Sequence, residues 1–150
     1  MMLIVLSLLG AFFLTSSKPL EGAGVQLFSP DRNYTLLVQG SKSGRWGWTK
    51  GHRESTDSSW LETAIREVYE ESGFVLGKDY TICNSVPQQW GKRLYWQGIM
   101  KETLPTPVHN MNEHGGIGWF PVSTLPNNSS TYDVVEWTTL SRKIKCDFEI

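Results

Sequence analysis

The stretch "GHRESTDSSWLETAIREVYEESGF", Gly51–Phe74, predicts an amphipathic helix with a defined beginning and end. Ser59 and Glu62 stand three residues apart, as in a capping box that satisfies free backbone amides at a helix start. Gly73 is typical of the residue that follows a helix C-terminus. The apolar residues at helical intervals are Leu61, Ala64, Ile65 and Val68. They predict one face turned towards a core.

The same helix carries a cluster of acidic residues on a neighbouring face. Glu67, Glu70 and Glu71 stand at i, i+3 and i+4, so their carboxylates are expected to converge. Arg66 can pair with an acid four residues away, but it cannot balance the whole cluster. Carboxylate oxygens are the hard ligands that Mg²⁺ or Mn²⁺ prefers. From the helix alone, a cation site and a solvated acidic face both remain open.

The whole stretch resembles the Nudix box, which reads G, five residues, E, seven residues, then REUxEExGU with U apolar. Its distal half is matched at every fixed position by "REVYEESGF", Arg66–Phe74. The proximal half departs from the pattern, because Asp57 replaces the box glutamate and eight residues separate it from Arg66. In the family this acid orients the arginine, so we expect the shorter side chain to loosen that brace.

The resemblance implies an α/β fold, the Nudix α/β/α sandwich with a mixed β-sheet, over a domain at 23–150. It implies that the three glutamates bind Mg²⁺ or Mn²⁺, together with a backbone carbonyl of Lys50 or Gly51. Glu70 and Arg66 are then the candidate catalytic residues within the box. Glu113, in "MNEHGGIGWFPV", is a candidate further ligand or base, the alternative being a hydrogen-bonded loop residue.

Nudix hydrolases cleave diphosphates linked to another moiety. The "KGH" that opens this box, Lys50–His52, is similar to diadenosine tetraphosphate hydrolases, and in part to diphosphoinositol polyphosphate phosphatases and mRNA-decapping enzymes. We therefore expect metal-dependent hydrolysis of a nucleoside polyphosphate, with a dinucleoside tetraphosphate favoured. A diphosphoinositol polyphosphate or mRNA-cap substrate is the alternative. The altered proximal half instead favours a nucleotide-binding Nudix module with weak or no turnover.

Other residues are candidates for holding a nucleotide substrate. Lys50, His52 and Arg53 could contact the phosphates. Tyr95 or its neighbour Trp96 could stack on a base, and strand alternation sends only one of them to a given face. His109 is expected to be structural, whereas the role of His114, beside Glu113, is open.

The rest of the chain predicts a mixed set of strands and helices. "GVQLFS" and "YTLLVQG" predict a hairpin, and "YTICNSV", "RLYWQGIM" and "GIGWFPV" predict further strands. "YDVVEWTTLSRKI" predicts a closing helix. The Gly- and Ser-rich "GSKSGRWGWTKGHRESTDSS" predicts an ordered surface loop, because its composition is poorly suited to burial.

The N-terminus and the overall charge bear on compartment and partners. Residues 1–17 contain an apolar run from Leu3 to Leu14 and predict a secretory signal peptide, the alternatives being an uncleaved anchor and a cytoplasmic protein with an apolar leader. We expect no transmembrane span once it is removed. The net charge of −1 excludes a global basic field, so no stable nucleic-acid partner is expected and an anionic substrate must be held by a local site. The resemblance implies that this substrate is a small nucleotide. Cys83 and Cys146 could form a disulfide or remain free thiols.

Overall fold

The computed structural model of the protein describes residues 18–83, 86–110, 112 and 114–127. The elements are β1 (Gly22–Phe28), β2 (Tyr34–Gly40), β3 (Trp46–Gly47), β4 (Thr49–His52), α1 (Trp60–Ser72), β5 (Tyr80–Ile82), β6 (Gln88–Trp90), β7 (Arg93–Met100) and β8 (His114–Pro121). The predicted signal peptide, the predicted closing helix, Glu113 and Cys146 lie outside the described residues. Within the described part, no helix is long and apolar enough to span a membrane.

The strands form one mixed sheet centred on β1. The order along the main path is β3-β2-β1-β7-β5, while β4 pairs with β1, β6 with β7 and β8 with β2. β1 and β7 are parallel, and the other pairs are antiparallel. A parallel pair needs a long crossover connection, and α1 lies within it. This topology sets α1 beside both β1 and β4.

The limits of α1 follow the predicted caps. The Ser59 side chain accepts a hydrogen bond from the Glu62 N–H at 3.1 Å, so Ser59 is the N-cap. The reciprocal half of the capping box is shifted by one residue, because the Glu62 carboxylate accepts from Ser58. Gly73 ends the helix with a φ of 77°, a conformation that costs glycine little, and its N–H donates to the Tyr69 carbonyl.

Two apolar layers cover the two faces of the sheet. Ala64 and Val68 of α1 pack against alternate β1 residues, including Val25, as the predicted apolar stripe requires. The other face carries the buried residues Phe28, Leu37, Trp48 and Tyr95. Trp96 packs in the α1 layer whereas Tyr95 packs in the other. The expected alternation of these two aromatics is therefore confirmed.

The predicted surface loop is wrong over its central part, which contains β3 and β4. Thr49 and the large side chain of Trp48 are buried, and the Trp48 indole N–H donates to the Thr35 hydroxyl at 3.0 Å. Glycine makes the pairing with β1 close: a Cβ on Gly22 would lie 2.2 Å from the Gly51 carbonyl oxygen. Composition alone suggested exposure, but a glycine-containing partner strand allows this segment to enter the sheet.

The remaining strand predictions are confirmed with adjusted limits. β1 and β2 are antiparallel, and the hairpin closes with the Ser29 N–H donating to the Tyr34 carbonyl at 2.9 Å. Their register is the single pair Phe28 and Thr35, because β4 pairs with Gly22–Val25 of β1 and β7 occupies the other edge of β1. Of the predicted strand in "YTICNSV", Tyr80–Ile82 form β5, and residues 84–85 lie outside the described residues.

Candidate active site

Arg66 is bound by Asp57 through two parallel hydrogen bonds. Nε lies 3.0 Å from Oδ1 and Nη2 lies 2.9 Å from Oδ2. Asp57 also accepts from the Glu54 N–H and the Thr63 hydroxyl, both at 2.9 Å, and only 3% of its side chain is exposed. The Arg66 hydrogen bonds, followed by that from the Glu54 N–H, hold the pKa of Asp57 well below its usual range. The expected loosening of this brace is not observed.

The other side of the Arg66 guanidinium faces the predicted metal ligands. Nη1 donates to Glu67 Oε1 and to Glu70 Oε2, each at 2.9 Å, and Nη2 donates to the His52 carbonyl at 2.9 Å. The hydrogen bond to Asp57, together with the charges of both glutamates, raises the pKa of Arg66 above its ordinary value. Arg66 thus joins the preceding loop to two helix carboxylates.

These side chains do not converge in the expected way. In the part of the chain that the structure describes, no three Asp, Glu, His or Cys side chains form a group able to hold one metal ion. The reason is local, since Glu67 and Glu70 both turn towards Arg66 Nη1. Spacing on a helix brings carboxylates near one another, but it does not fix their rotamers.

Two of the three glutamates lie against the backbone of β4. Glu71 Oε2 accepts a hydrogen bond from the Lys50 N–H at 3.2 Å. A Cβ on Gly51 would lie 2.0 Å from Glu67 Oε1 and 2.1 Å from its Cδ. The missing side chain at Gly51 therefore makes the space that the Glu67 carboxylate fills.

The strand register separates the two candidate backbone carbonyls. Gly51 is paired with Ala23 of β1, and the Arg53 N–H two residues later donates to Glu21 O at 3.4 Å. In an antiparallel pair, alternate residues turn both N–H and C=O towards the partner strand. The Gly51 carbonyl therefore faces β1, while the Lys50 carbonyl faces the side from which Glu71 approaches.

The chemistry of this donor set fits a hard divalent cation. Glu67, Glu70, Glu71 and the Lys50 carbonyl offer only oxygen ligands, which Mg²⁺ and Mn²⁺ prefer. A positively charged nitrogen already holds two of the carboxylates together. The Glu70 side chain is 41% exposed, so it has room to turn from Arg66 towards a cation.

The predicted substrate-binding residues fall into two environments. His52 and Arg53 are exposed at the end of β4, beside the acidic cluster. The Arg53 guanidinium already has contacts within the protein: it donates to two loop carbonyls at 3.3 Å and lies 4.9 Å from the centre of the Trp60 ring. Lys50 Nζ donates to the Trp48 carbonyl at 3.3 Å. Tyr95, with 1% exposure, is buried against Trp48 rather than presented at the surface.

Two residues have roles that the sequence left unassigned. Thr63 lies on the buried side of α1, and its hydroxyl donates to Asp57. In the sequence, a threonine on the apolar face of the helix six residues after Asp57 was the signal that could have indicated this contact. His114 is buried, and its Nε2 lies 2.8 Å from the Glu71 carbonyl oxygen. His109, as expected for a structural residue, stacks on the His114 ring at 4.8 Å.

Comparison with known proteins identifies the family. A family model described as the NUDIX domain matches residues 18–138. No curated protein sequence matches the chain. The chain is similar in structure to a C. elegans Ap4A hydrolase in a binary complex, with a TM-score of 0.67, 21% identity, and coverage of 82% of this chain and 94% of that one.

Two bacterial structures are also similar. The NUDIX domain of Shewanella oneidensis NrtR, complexed with ADP ribose, gives a TM-score of 0.61 at 19% identity, covering 85% of this chain and 89% of that one. A NUDIX hydrolase from Nitrosomonas europaea gives 0.58 at 18% identity, covering 84% and 91%. At these identities the structures establish the Nudix sandwich fold, and the matched NUDIX domain establishes the family. The chain therefore belongs to the Nudix family and is a hydrolase that acts on pyrophosphate bonds.

Proposed function

We propose that this protein is a divalent-metal-dependent hydrolase of nucleoside polyphosphates, with a dinucleoside tetraphosphate as the favoured substrate. The observation that carries the proposal is the meeting of α1 with the edge of β4. There Glu67 lies against Gly51, Glu71 accepts from the Lys50 N–H, and Arg66 holds Glu67 beside Glu70. An oxygen-rich edge of this kind suits Mg²⁺ or Mn²⁺ bound together with substrate phosphates.

At the scissile phosphate, some residues of the site would bind the cation and another could accept a proton. Glu67, Glu71 and the Lys50 carbonyl would hold the cation. Glu70, the most exposed of the three acids, would be a further ligand or accept a proton from the attacking water. A bound divalent cation would supply charge neutralisation at the phosphate oxygens. Glu113 remains our candidate for an additional ligand or base.

The substrate class rests on chemistry at the mouth of the site. His52 ends β4 and Arg53 follows it, and both are exposed, so a phosphate chain bound at the carboxylates could reach them. Lys50 and the "KGH" sequence add to the similarity with dinucleoside tetraphosphate hydrolases. The compounds named with two similar structures, Ap4A and ADP ribose, both join adenosine to a phosphoanhydride. Base stacking by Tyr95 would require movement of the residues that bury it.

A substrate panel with identified products tests the proposal. Purified protein is incubated with a dinucleoside tetraphosphate, ADP ribose, a diphosphoinositol polyphosphate and capped RNA, each with Mg²⁺, Mn²⁺ or excess chelator. We expect metal-dependent turnover, fastest with the dinucleoside tetraphosphate, and a loss of about 100-fold or more in Glu70→Gln. Glu102→Gln, which neutralises an exposed acid outside the site, is the matched control. Tight nucleotide binding without turnover under any metal would favour a binding module instead.

We also propose that the protein enters the secretory pathway. The apolar leader at 1–17 supports this, as does the disulfide formed by Cys83, since disulfides persist mainly in oxidising compartments. The other cysteine of the sequence is Cys146. Mass spectrometry of the protein from its native host should find a mature N-terminus near Lys18. An intact N-terminus together with reduced thiols would indicate a cytoplasmic protein.

A further inference from the structure

The carbonyls at the C-terminal end of α1 are bonded by Gly73, by Val108 of the β7–β8 connection and by His114 of β8. The last four carbonyls of a helix have no partner within it, so other groups must satisfy them. The Gly73 N–H donates to Tyr69 O at 2.8 Å, and the Val108 N–H donates to Ser72 O at 2.9 Å. His114 contacts Glu71 O at 2.8 Å. His114 is the side chain among these contacts, and it reaches a residue of the acidic cluster.

The contact identifies one ring nitrogen of His114 as a hydrogen-bond donor. A carbonyl oxygen can only accept, so Nε2 of His114 carries a proton and donates to Glu71. The His114 side chain is 2% exposed, and its Nδ1 has no hydrogen-bond partner among the described residues. Its ring also stacks on His109 at 4.8 Å with an interplanar angle of 17°. Because the imidazole is buried and already bonded to Glu71, His114 is a donor aimed at one carbonyl.

Glu71 is consequently fixed at two points. β8 holds its main chain through His114, and β4 holds its carboxylate through the Lys50 N–H at 3.2 Å. Loss of the imidazole would leave the Glu71 carbonyl, in the last turn of α1, without its hydrogen-bond donor. The Glu71 side chain would then extend from a helix turn whose position is no longer fixed.

We propose that His114 is a positioning residue for the cation site, which acts through the main chain of Glu71. The inference rests on the proposed function in that it takes Glu71 to be a metal ligand. Groups that orient metal ligands typically change metal affinity by about 10- to 100-fold when removed. His114 would thereby tie the start of β8 to the helix that carries the three acids.

The test compares substitutions that can and cannot replace the donor. Gln sets an amide nitrogen close to the position of Nε2, whereas the shorter Asn does not reach it. Mn²⁺ binding to the substrate-free protein, followed by the electron paramagnetic resonance signal of free Mn²⁺, gives the affinity without turnover. We expect His114→Asn and His114→Ala to bind Mn²⁺ about 10- to 100-fold more weakly, and His114→Gln to recover most of the affinity.

His109→Ala is the matched control, because it removes the stacked ring and the 3.4 Å contact of its Nε2 with the His114 carbonyl, but no contact to Glu71. It should change Mn²⁺ affinity by less than about 3-fold. Hydrogen exchange of the metal-free proteins should show faster exchange in the last turn of α1 for His114→Asn than for His114→Gln. Equal Mn²⁺ affinity in the Gln and Asn variants, or an equal loss in His109→Ala, would overturn the proposal.

A separate variant distinguishes this inference from the proposed function. Glu71→Gln should weaken Mn²⁺ binding whatever the role of His114. If Glu71→Gln and the wild type bind Mn²⁺ equally, the proposed cation site itself is wrong, and the positioning role falls with it. If Glu71→Gln weakens binding but the His114 variants do not, only the positioning role is wrong.

Discussion

Asp57 grips the guanidinium of Arg66 with both carboxylate oxygens, at 3.0 Å to Nε and 2.9 Å to Nη2. The Nudix pattern has the longer glutamate here, one residue closer to the arginine. In this chain the side chain is shorter and the connecting segment is longer, and the two changes offset each other at the guanidinium. The bidentate geometry fixes the plane of Arg66 and so fixes the nitrogen that holds Glu67 and Glu70.

Asp57→Asn should destabilise the protein and weaken the site. An amide retains one acceptor but loses the charge-assisted pair, which is worth about 1.5 to 3 kcal/mol of unfolding free energy. Urea denaturation of the wild type, Asp57→Asn and the control Glu102→Gln measures the difference. An Asn variant as stable as the control would mean that the brace contributes little.

Acid should remove the contribution of Asp57 in a defined range. The pKa of Asp57 in the folded state is lower than in the unfolded chain, where it is about 3.9. Its stabilisation is therefore complete above that unfolded value and is lost as the pH falls from about 4 towards the folded pKa. Below about pH 4 the unfolding free energy of the wild type should fall more steeply than that of Asp57→Asn. Parallel curves for the two proteins would contradict this linkage.

Arg66→Lys should lower kcat with little change in KM. An ammonium is a point donor and cannot bind both oxygens of Asp57 while also reaching Glu67 and Glu70. A shift of about 1 Å in a reacting group can cost about 100-fold in rate. Steady-state kinetics compares Arg66→Lys with the wild type. The control is Arg45→Lys, which makes the same change at an exposed position before β4. If Arg66→Lys keeps the wild-type kcat, the paired hydrogen bonds of the guanidinium are not needed for turnover.

Local sequence signals predicted α1 well, because its caps and apolar spacing act within one or two turns. Ser59 and Gly73 stand at the expected ends, and Ala64 and Val68 are buried as expected. The burial of Trp48 was not predictable in the same way. It depends on β4 pairing with a strand more than twenty residues earlier, and its Gly- and Lys-rich surroundings indicate a loop.

The candidate site was predictable in its residue types but not in its geometry. Helical spacing set Glu67, Glu70 and Glu71 on the same turns of α1, but it did not make their carboxylates converge, because Arg66 sets the rotamers of two of them. Whether Asp57 could replace a glutamate depended on the path of the loop, which spacing does not specify. The contact between His114 and Glu71 spans 43 residues, so only the tertiary fold could reveal it.

His52→Ala and Arg53→Ala should separate substrate binding from loop stability. The Arg53 guanidinium already contacts Trp60 and two carbonyls, and a cation–π contact at an exposed site contributes about 0.5 to 1 kcal/mol. Arg53→Ala should therefore lower Tm while changing KM less than His52→Ala does. Thermal denaturation and steady-state kinetics measure both effects. A large rise in KM with unchanged Tm in Arg53→Ala would show that Arg53 acts mainly at the phosphates and contributes little to the loop.

Gly51→Ala should damage the site and leave the fold intact. A Cβ at this position would meet the Glu67 carboxylate at 2.0 Å, and that carboxylate is the movable end of a flexible side chain. To make room it must leave its 2.9 Å contact with Arg66, so the unfolding free energy should fall by about 1 to 3 kcal/mol while the protein still folds. Displacing a ligand should, however, weaken Mn²⁺ binding by about 10-fold or more. Gly118→Ala is the matched control, because its Cβ would have Phe120 at an ordinary 3.6 Å. If Gly51→Ala binds Mn²⁺ as the control does, Glu67 does not need its position against β4 to hold the cation.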